Sequence, residues 1–116
     1  MKKTMLIHNP RCSKSRRAKE ILEEAGILFD TIDYLKDGFK EKLLLKLPSF
    51  LGLSYIEMVR TNEEIFSELK LKDKKISDSE WIKIIMDNPI LIERPIFIKD
   101  GKAVIARPPE LVLSIL

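Results

Sequence analysis

Cysteine is almost absent from this sequence, and glycine, proline and long apolar runs are scarce. A single cysteine, Cys12, cannot form an internal disulfide, which suits a reducing compartment and predicts a cytoplasmic protein. The apolar run near Met5 is too short for a signal peptide and no run could span a bilayer, so we expect no membrane association. A net charge of +3, with lysines spread along the chain, does not indicate nucleic-acid binding.

What remains is the composition of an ordinary globular domain, with 45% hydrophobic and 34% charged residues in a chain of 116. A chain of this length buries one hydrophobic core without help from disulfides or metals. We therefore predict a single domain over residues 1–116, with no metal site and no bound cofactor. We also expect a monomer.

Cys12 lies where a polar loop passes into a helical pattern. Every other residue from 8 to 17 is polar, charged or proline, which argues against a buried structural cysteine. The first N–H groups of a helix carry the positive end of its dipole and favour the thiolate. Four basic residues stand close by in sequence: Arg11, Lys14, Arg16 and Arg17. The pattern predicts a reactive or anion-facing thiol.

The residues around this loop predict a βαβ unit. Residues 4–7 are typical of a buried strand, and residues 27–34 of a second strand. Between them, apolar residues repeat with helical spacing and Gly26 follows at the helix end: Ala18, Ile21, Leu22 and Ala25. The connections are short, so the two strands should be parallel with a right-handed crossover.

A helical period continues through the middle of the chain, which predicts a helical insertion over about residues 39–90. Its first helix should end or kink at Pro48 and present one apolar face: Phe39, Leu43, Leu44 and Leu47. Three capping boxes should begin helices: Ser54 with Glu57, Thr61 with Glu64, and Ser77 with Glu80. The last of these helices should end at Asn88 and bury Trp81, Ile82, Ile85 and Met86.

The final third returns to strands. Residues 95–99 and 102–106 flank Asp100-Gly101, a strong hairpin signal. A last helix should follow with an apolar face of Leu111, Val112, Ile115 and Leu116. The order βαβ, helices, ββα predicts an α/β, thioredoxin-like fold with a four-stranded mixed sheet and a helical insertion between strands 2 and 3.

In thioredoxin-like enzymes the nucleophilic cysteine lies at the helix terminus that follows the first strand. Ser15 occupies the second position of the C-x-x-C spacing that begins at Cys12, so disulfide exchange within one chain is excluded. Ser15 either donates a hydrogen bond to the thiolate or is simply a good residue for the first turn of a helix. The sequence leaves both interpretations open.

Three arginines stand at junctions between predicted elements: Arg60, Arg94 and Arg107. A lone arginine is more typical of a solvated surface. Several that converge would bind a tetrahedral oxyanion, because guanidinium groups match its oxygens bidentately. The Arg94-Pro95 bond begins a strand, where a cis proline would serve as a turn device.

Several separated motifs together resemble the glutaredoxin-dependent arsenate reductases, in particular their chromosomal branch. The motifs are residues 8–16 (HNPRCSKSR), 59–62 (VRTN), 87–89 (DNP), 93–96 (ERPI), 100–102 (DGK) and 107–110 (RPPE). The resemblance covers nearly the whole chain.

The resemblance implies an enzyme of arsenic detoxification in which Cys12 attacks the arsenic of arsenate or a similar oxyanion. It implies that the oxyanion is held by Arg60, Arg94 and Arg107. His8 and Ser15 would shape the environment of the thiolate. Glutathione would serve as co-substrate, and glutaredoxin as the partner that completes the cycle.

Three other classes of protein are weaker matches. A phosphatase-like reductase requires Cys-x5-Arg, and Ala18 stands at that spacing. Spx-like regulators that bind RNA polymerase typically carry the C-x-x-C switch that Ser15 removes. A glutathione-dependent thiol reductase with another substrate stays the main alternative, and the three arginines favour the arsenate reductase over the regulator.

Overall fold

The computed structural model describes residues 4–116, which contain one mixed sheet of four strands. The strands are β1 Thr4–His8, β2 Asp30–Asp33, β3 Ile96–Lys99 and β4 Lys102–Ile105. Their spatial order is β2-β1-β3-β4. β1 runs parallel to β2 and antiparallel to β3, and β3 and β4 form an antiparallel hairpin. This is the thioredoxin-like α/β arrangement, so the predicted fold class is confirmed.

The helices surround this sheet. The α-helices are α1 Ser13–Glu24, α2 Tyr34–Asp37, α3 Glu41–Leu51, α4 Glu64–Glu68 and α5 Asp78–Asp87. Short 3-10 helices cover Ile56–Met58, Pro89–Leu91 and Pro109–Ile115. All the elements between β2 and β3 are helical. Within residues 4–116, no helix has the length and apolar character needed to cross a membrane.

Side chains that alternate along the strands build a core on each face of the sheet. One face packs against α1 and the last 3-10 helix through Leu6, Ala18, Ile21, Leu22, Phe97, Ala106 and Val112. The opposite face packs against the inserted helices, with contributions from Ile7, Leu44, Leu47, Ile85, Ile96 and Ile98. Both faces of the sheet are therefore covered by apolar packing, and polar side chains lie at the ends of the strands.

Two turn predictions are confirmed by backbone geometry. Asp100 and Gly101 both have positive φ angles, 50° and 81°, as a type I′ hairpin turn requires. Gly26 has a φ of 72° directly beyond the end of α1, where a left-handed residue closes the helix.

β2 is shorter than predicted. It begins at Asp30 rather than Ile27, and Leu28 in the preceding connection is 92% exposed. Tyr34 is the first residue of α2 rather than the end of the strand. The Asp33 carboxylate accepts a hydrogen bond from the Lys36 N–H at 3.3 Å, which begins α2 as soon as the strand ends.

Pro48 does not end α3, which continues to Leu51. A proline lacks the N–H that would bond to the carbonyl four residues earlier, here Leu44. The Tyr55 hydroxyl donates to that carbonyl oxygen at 2.7 Å instead. The helix tolerates Pro48 because a side chain satisfies the group that Pro48 leaves unpaired.

The three predicted capping boxes have different outcomes. The Ser77 box is present with both of its hydrogen bonds and begins α5. The Glu57 carboxylate accepts from the N–H and hydroxyl of Ser54, but only a 3-10 turn follows. The prediction for Thr61 is wrong: α4 begins at Glu64 after an uncapped Glu63, because residues 60–63 form a turn of their own.

Two predicted apolar faces are only partly buried. In α5, Met86 is 40% exposed, while Trp81, Ile82 and Ile85 are buried. The C-terminal segment forms a 3-10 helix in which Val112 is buried, while Leu111 and Leu116 are exposed. A 3-10 helix repeats every three residues, so the α-helical spacing no longer defines one face.

Candidate active site

The sheet register brings distant parts of the chain to one end of the sheet. His8 lies opposite Asp33, so β1 and β2 finish side by side. Ile96 lies opposite both Ile7 and Ile105, so β3 begins and β4 finishes at the same end. The residues just beyond these pairs therefore share one neighbourhood: Cys12, Tyr34, Arg94 and Arg107.

Cys12 is the N-cap residue of α1 and is partly exposed. Its backbone is extended, and its N–H donates to the Asn9 carbonyl at 3.0 Å. Burial raises the pKa of the Cys12 thiol, but the backbone N–H groups of Ser15 and Lys14 lower it. The positive charge of Arg94 lowers it further, so the pKa lies below that of an ordinary cysteine. The predicted bias toward thiolate has this physical cause.

The basic residues of the loop make other contacts. Arg16 donates to the Pro10 carbonyl at 3.0 Å. Arg17 is exposed and pairs with the carboxylates of Glu20 and Glu24. The guanidinium that acts on the thiol comes from Arg94, far away in sequence, rather than from the loop itself.

Ser15 and His8 connect the end of β1 to the first turn of α1. Ser15 is fully buried, and its hydroxyl lies 2.6 Å from His8 Nδ1 and accepts from the Asn9 N–H at 2.9 Å. The hydroxyl is thus engaged away from Cys12, and Ser15 acts on the thiol through its backbone N–H. Burial lowers the pKa of His8, and the charge of Lys19 lowers it further, so the imidazole is neutral at pH 7.

Arg94 presents unused donors at this end of the sheet. Its Nε and Nη1 atoms are buried and have no hydrogen-bond partner among residues 4–116. Its charge acts on both Cys12 and Tyr34. The Arg94-Pro95 peptide bond is cis, as the strand-start position suggested.

Arg60 is anchored beside the segment that leads to Arg94. Its N–H donates to the Leu91 carbonyl at 2.6 Å, next to a β-bridge between Val59 and Ile92. Its Nε atom lies 3.5 Å from a carboxylate oxygen of Glu63. Its Nη1 atom is buried and has no partner in the described part of the chain.

Arg107 contacts the backbone of Arg94 directly. Its Nη1 donates to the Arg94 carbonyl at 3.0 Å and lies 3.8 Å from a carboxylate oxygen of Glu93. The structure therefore brings Arg107 and Arg94 together, but it engages one Arg107 donor in supporting the Arg94 backbone. The role of Arg107 toward an oxyanion stays a prediction, as do those of the other site residues.

Tyr34 is a residue of this site that the sequence analysis did not single out. It is fully buried, and its hydroxyl has no partner among the described residues. Burial raises its pKa to about 12, and the charges of Arg94 and Cys12 also act on it. Its place at the end of β2, beside β1, was a usable signal, because polar groups that follow parallel strands gather at one end of a sheet.

Four buried donor atoms thus lack a partner in residues 4–116: Tyr34 Oη, Arg60 Nη1, Arg94 Nε and Arg94 Nη1. Leaving such an atom unpaired costs about 1–3 kcal/mol, so the arrangement favours a ligand with several acceptor oxygens. No cluster of three or more His, Cys, Asp or Glu side chains suited to a metal occurs in this part of the chain. The site combines an activated thiol with donors for an anion.

The chain is similar in sequence and in structure to known proteins. Residues 7–115 match the model of the ArsC family. The chain is 42% identical to the uncharacterized protein YfgD of Escherichia coli, over 98% of this chain and 97% of that protein. It is 40% identical to an arsenate reductase of Haemophilus influenzae, over 97% of both proteins. Among solved structures, an arsenate reductase from Vibrio cholerae superposes with a TM-score of 0.91, at 40% identity, over 99% of this chain and 98% of that one.

Proposed function

Because this chain belongs to the ArsC family, we propose that it reduces arsenate to arsenite, with Cys12 as the nucleophile. The observation that carries this proposal is Arg94, whose charge lowers the pKa of the Cys12 thiol while two of its buried donor atoms have no partner in residues 4–116. Arg60 and Tyr34 hold further buried donors of this kind. Similarity to arsenate reductases supports arsenate as the oxyanion.

In the first step, the Cys12 thiolate attacks arsenic. A sulfur–arsenic bond forms and one arsenic–oxygen bond breaks, with the oxygen leaving as water after it takes up protons. Arg94 and Arg60 offset the charge of the remaining oxygens and orient the arsenic toward the sulfur, since guanidinium donors suit several oxygens at once. Neutral His8 and Ser15 act as positioning residues, because their hydrogen bond fixes the loop that carries Cys12.

The two electrons must come from outside, because the chain has no second cysteine. We assign them to the thiols of glutathione and glutaredoxin. Glutathione bonds to arsenic and releases a second oxygen as water, and the glutaredoxin thiolate then attacks the glutathione sulfur. The electron pair of the broken sulfur–arsenic bond reduces As(V) to As(III), and the two external thiols leave as a mixed disulfide. Water finally cleaves the Cys12–arsenic bond and releases arsenite.

The test is arsenate-dependent NADPH oxidation coupled through glutathione reductase, with glutathione and glutaredoxin present. We expect turnover that requires arsenate, glutathione and glutaredoxin, and none with Cys12→Ser. Sustained turnover with thioredoxin as the only reductant would contradict the mechanism, because no internal thiol can form the disulfide that thioredoxin reduces. Turnover with a glutathione mixed disulfide but not with arsenate would favour the thiol reductase instead.

A further inference from the structure

Tyr34 is fixed firmly at the site. It follows Asp33, whose register partner on β1 is His8, so it stands beside the start of the loop that carries Cys12. Its ring stacks on Phe39 with centroids 5.3 Å apart and planes inclined by 27°. The side chain is fully buried, so the ring is held in one position by its packing.

Among residues 4–116, the hydroxyl of Tyr34 lacks the hydrogen-bond partner that a buried tyrosine normally has. The chain contains two tyrosines, and the contrast between them is direct. Tyr55 is also buried and donates to the Leu44 carbonyl at 2.7 Å. The hydroxyl of Tyr34 has no partner within residues 4–116. The Tyr55 hydroxyl therefore stabilises the fold, whereas the Tyr34 hydroxyl forms no hydrogen bond with the part of the chain that the structure describes.

The charged groups near Tyr34 are those of the candidate site. Burial is the main influence that raises its pKa to about 12, so the phenol stays protonated and can donate. Arg94 lowers the pKa by its positive charge, while Cys12 and Glu63 raise it by their negative charge. The hydroxyl therefore lies in the same electrostatic environment as the thiol and the arginine donors.

We propose that the Tyr34 hydroxyl is an oxyanion-binding group, which donates a hydrogen bond to one oxygen of the anion alongside Arg60 and Arg94. The inference rests on the oxyanion site of the proposed function and adds a neutral donor to it. Arg60 is paired with the carboxylate of Glu63, which offsets part of its positive charge. A phenol also donates a hydrogen bond to the anion, and because it is neutral it needs no carboxylate beside it.

The experiment compares Tyr34→Phe with the matched control Tyr55→Phe. Both changes remove one buried hydroxyl and keep the ring. Cys12 is alkylated with iodoacetamide at increasing concentrations of phosphate or arsenate, and the half-protecting concentration is read for each variant. We expect this concentration to rise roughly 10- to 100-fold in Tyr34→Phe, because one hydrogen bond to a charged acceptor is lost. It should stay unchanged in Tyr55→Phe.

Thermal unfolding gives the second readout. Tyr34→Phe should melt at or above the wild-type temperature, because it removes an unpaired buried group, while Tyr55→Phe should melt lower because it leaves the Leu44 carbonyl unpaired. Wild-type protection in Tyr34→Phe would overturn the proposal, and so would a wild type that neither anion protects. Protection without arsenate turnover in the coupled assay would overturn the proposed function and leave the role of Tyr34 supported.

Discussion

The reactivity of Cys12 depends on groups that differ in kind. Burial raises the pKa of the thiol, and two backbone N–H groups of α1 lower it. These N–H groups come with the helix terminus and would act on any thiol at the N-cap. Arg94 adds a charge that depends on the fold, since it is placed by the pairing of β3 with β1. A single substitution can therefore separate the two contributions.

The pH dependence of Cys12 alkylation should show this separation. We expect the wild-type rate to inflect below the pKa of a free cysteine, because the thiolate is the stabilised form. Arg94→Ala should move the inflection to higher pH and leave the helix contribution in place. Arg17→Ala is the control, because Arg17 is exposed and paired with glutamates of its own helix. A wild-type inflection at or above that of free cysteine would refute this account.

The three arginines should contribute unequally to catalysis. Arg94→Ala should lose about 1.5–3 kcal/mol of transition-state stabilisation per charge-assisted contact, roughly 10- to 100-fold or more in kcat/KM. Arg60→Ala should lose less, because Glu63 already faces its Nε atom. Arg107→Ala should act through the Arg94 backbone that it supports. Lysine should restore Arg94 only in part, because the bidentate fork is lost.

Steady-state kinetics with arsenate checks this order, again with Arg17→Ala as the control. If Arg94→Ala kept wild-type kcat/KM, the guanidinium would not contact the oxyanion. The proposed function would then lose the observation that carries it.

At the scale of elements, the sequence predicts structure where local chemistry decides it. Asp100-Gly101 requires positive φ angles whatever surrounds it. Of the predicted apolar face of α1, Ala18, Ile21 and Leu22 are buried, while Ala25 is exposed at the C-cap. Prediction from sequence fails where a distant group determines the local structure. The end of α3 is an example, because the Tyr55 hydroxyl donates to the carbonyl that Pro48 leaves unpaired. Tyr34 was missed for the same reason: its neighbours Cys12 and Arg94 come together only through strand pairing.

The capping boxes give a direct test at this scale. Ser77→Ala should lower the free energy of unfolding by about 1 kcal/mol, because the Ser77 hydroxyl accepts from the Glu80 N–H at the start of α5. Thr61→Ala should change it by less than about 0.5 kcal/mol, since α4 begins later and Thr61 is exposed. Urea unfolding of both variants measures the difference. Equal losses would mean that Thr61 caps a helix after all.

At the scale of the whole molecule, the site is assembled from chain segments that the sheet holds together. β1 supplies His8 and the Cys12 loop, β2 leads to Tyr34, and the start of β3 supplies Arg94. Four buried donors that have no partner in residues 4–116 are a cost to the folded state. Binding and stability should therefore be coupled, because an anion that pairs these donors relieves the cost only when the chain is folded.

This coupling predicts that arsenate and phosphate raise the melting temperature. A ligand at 100 times its dissociation constant stabilises the folded state by about 2.7 kcal/mol, roughly 10 °C for a domain of this size. Above the dissociation constant the shift should rise with the logarithm of anion concentration, whereas the general effect of an excluded salt rises roughly in proportion to its concentration. Arg94→Ala is the control, because it removes two of the four donors that are unpaired among the described residues and keeps the general salt effect. Differential scanning fluorimetry at constant ionic strength measures both proteins. Equal shifts in the wild type and Arg94→Ala would show that the anion acts elsewhere on the surface.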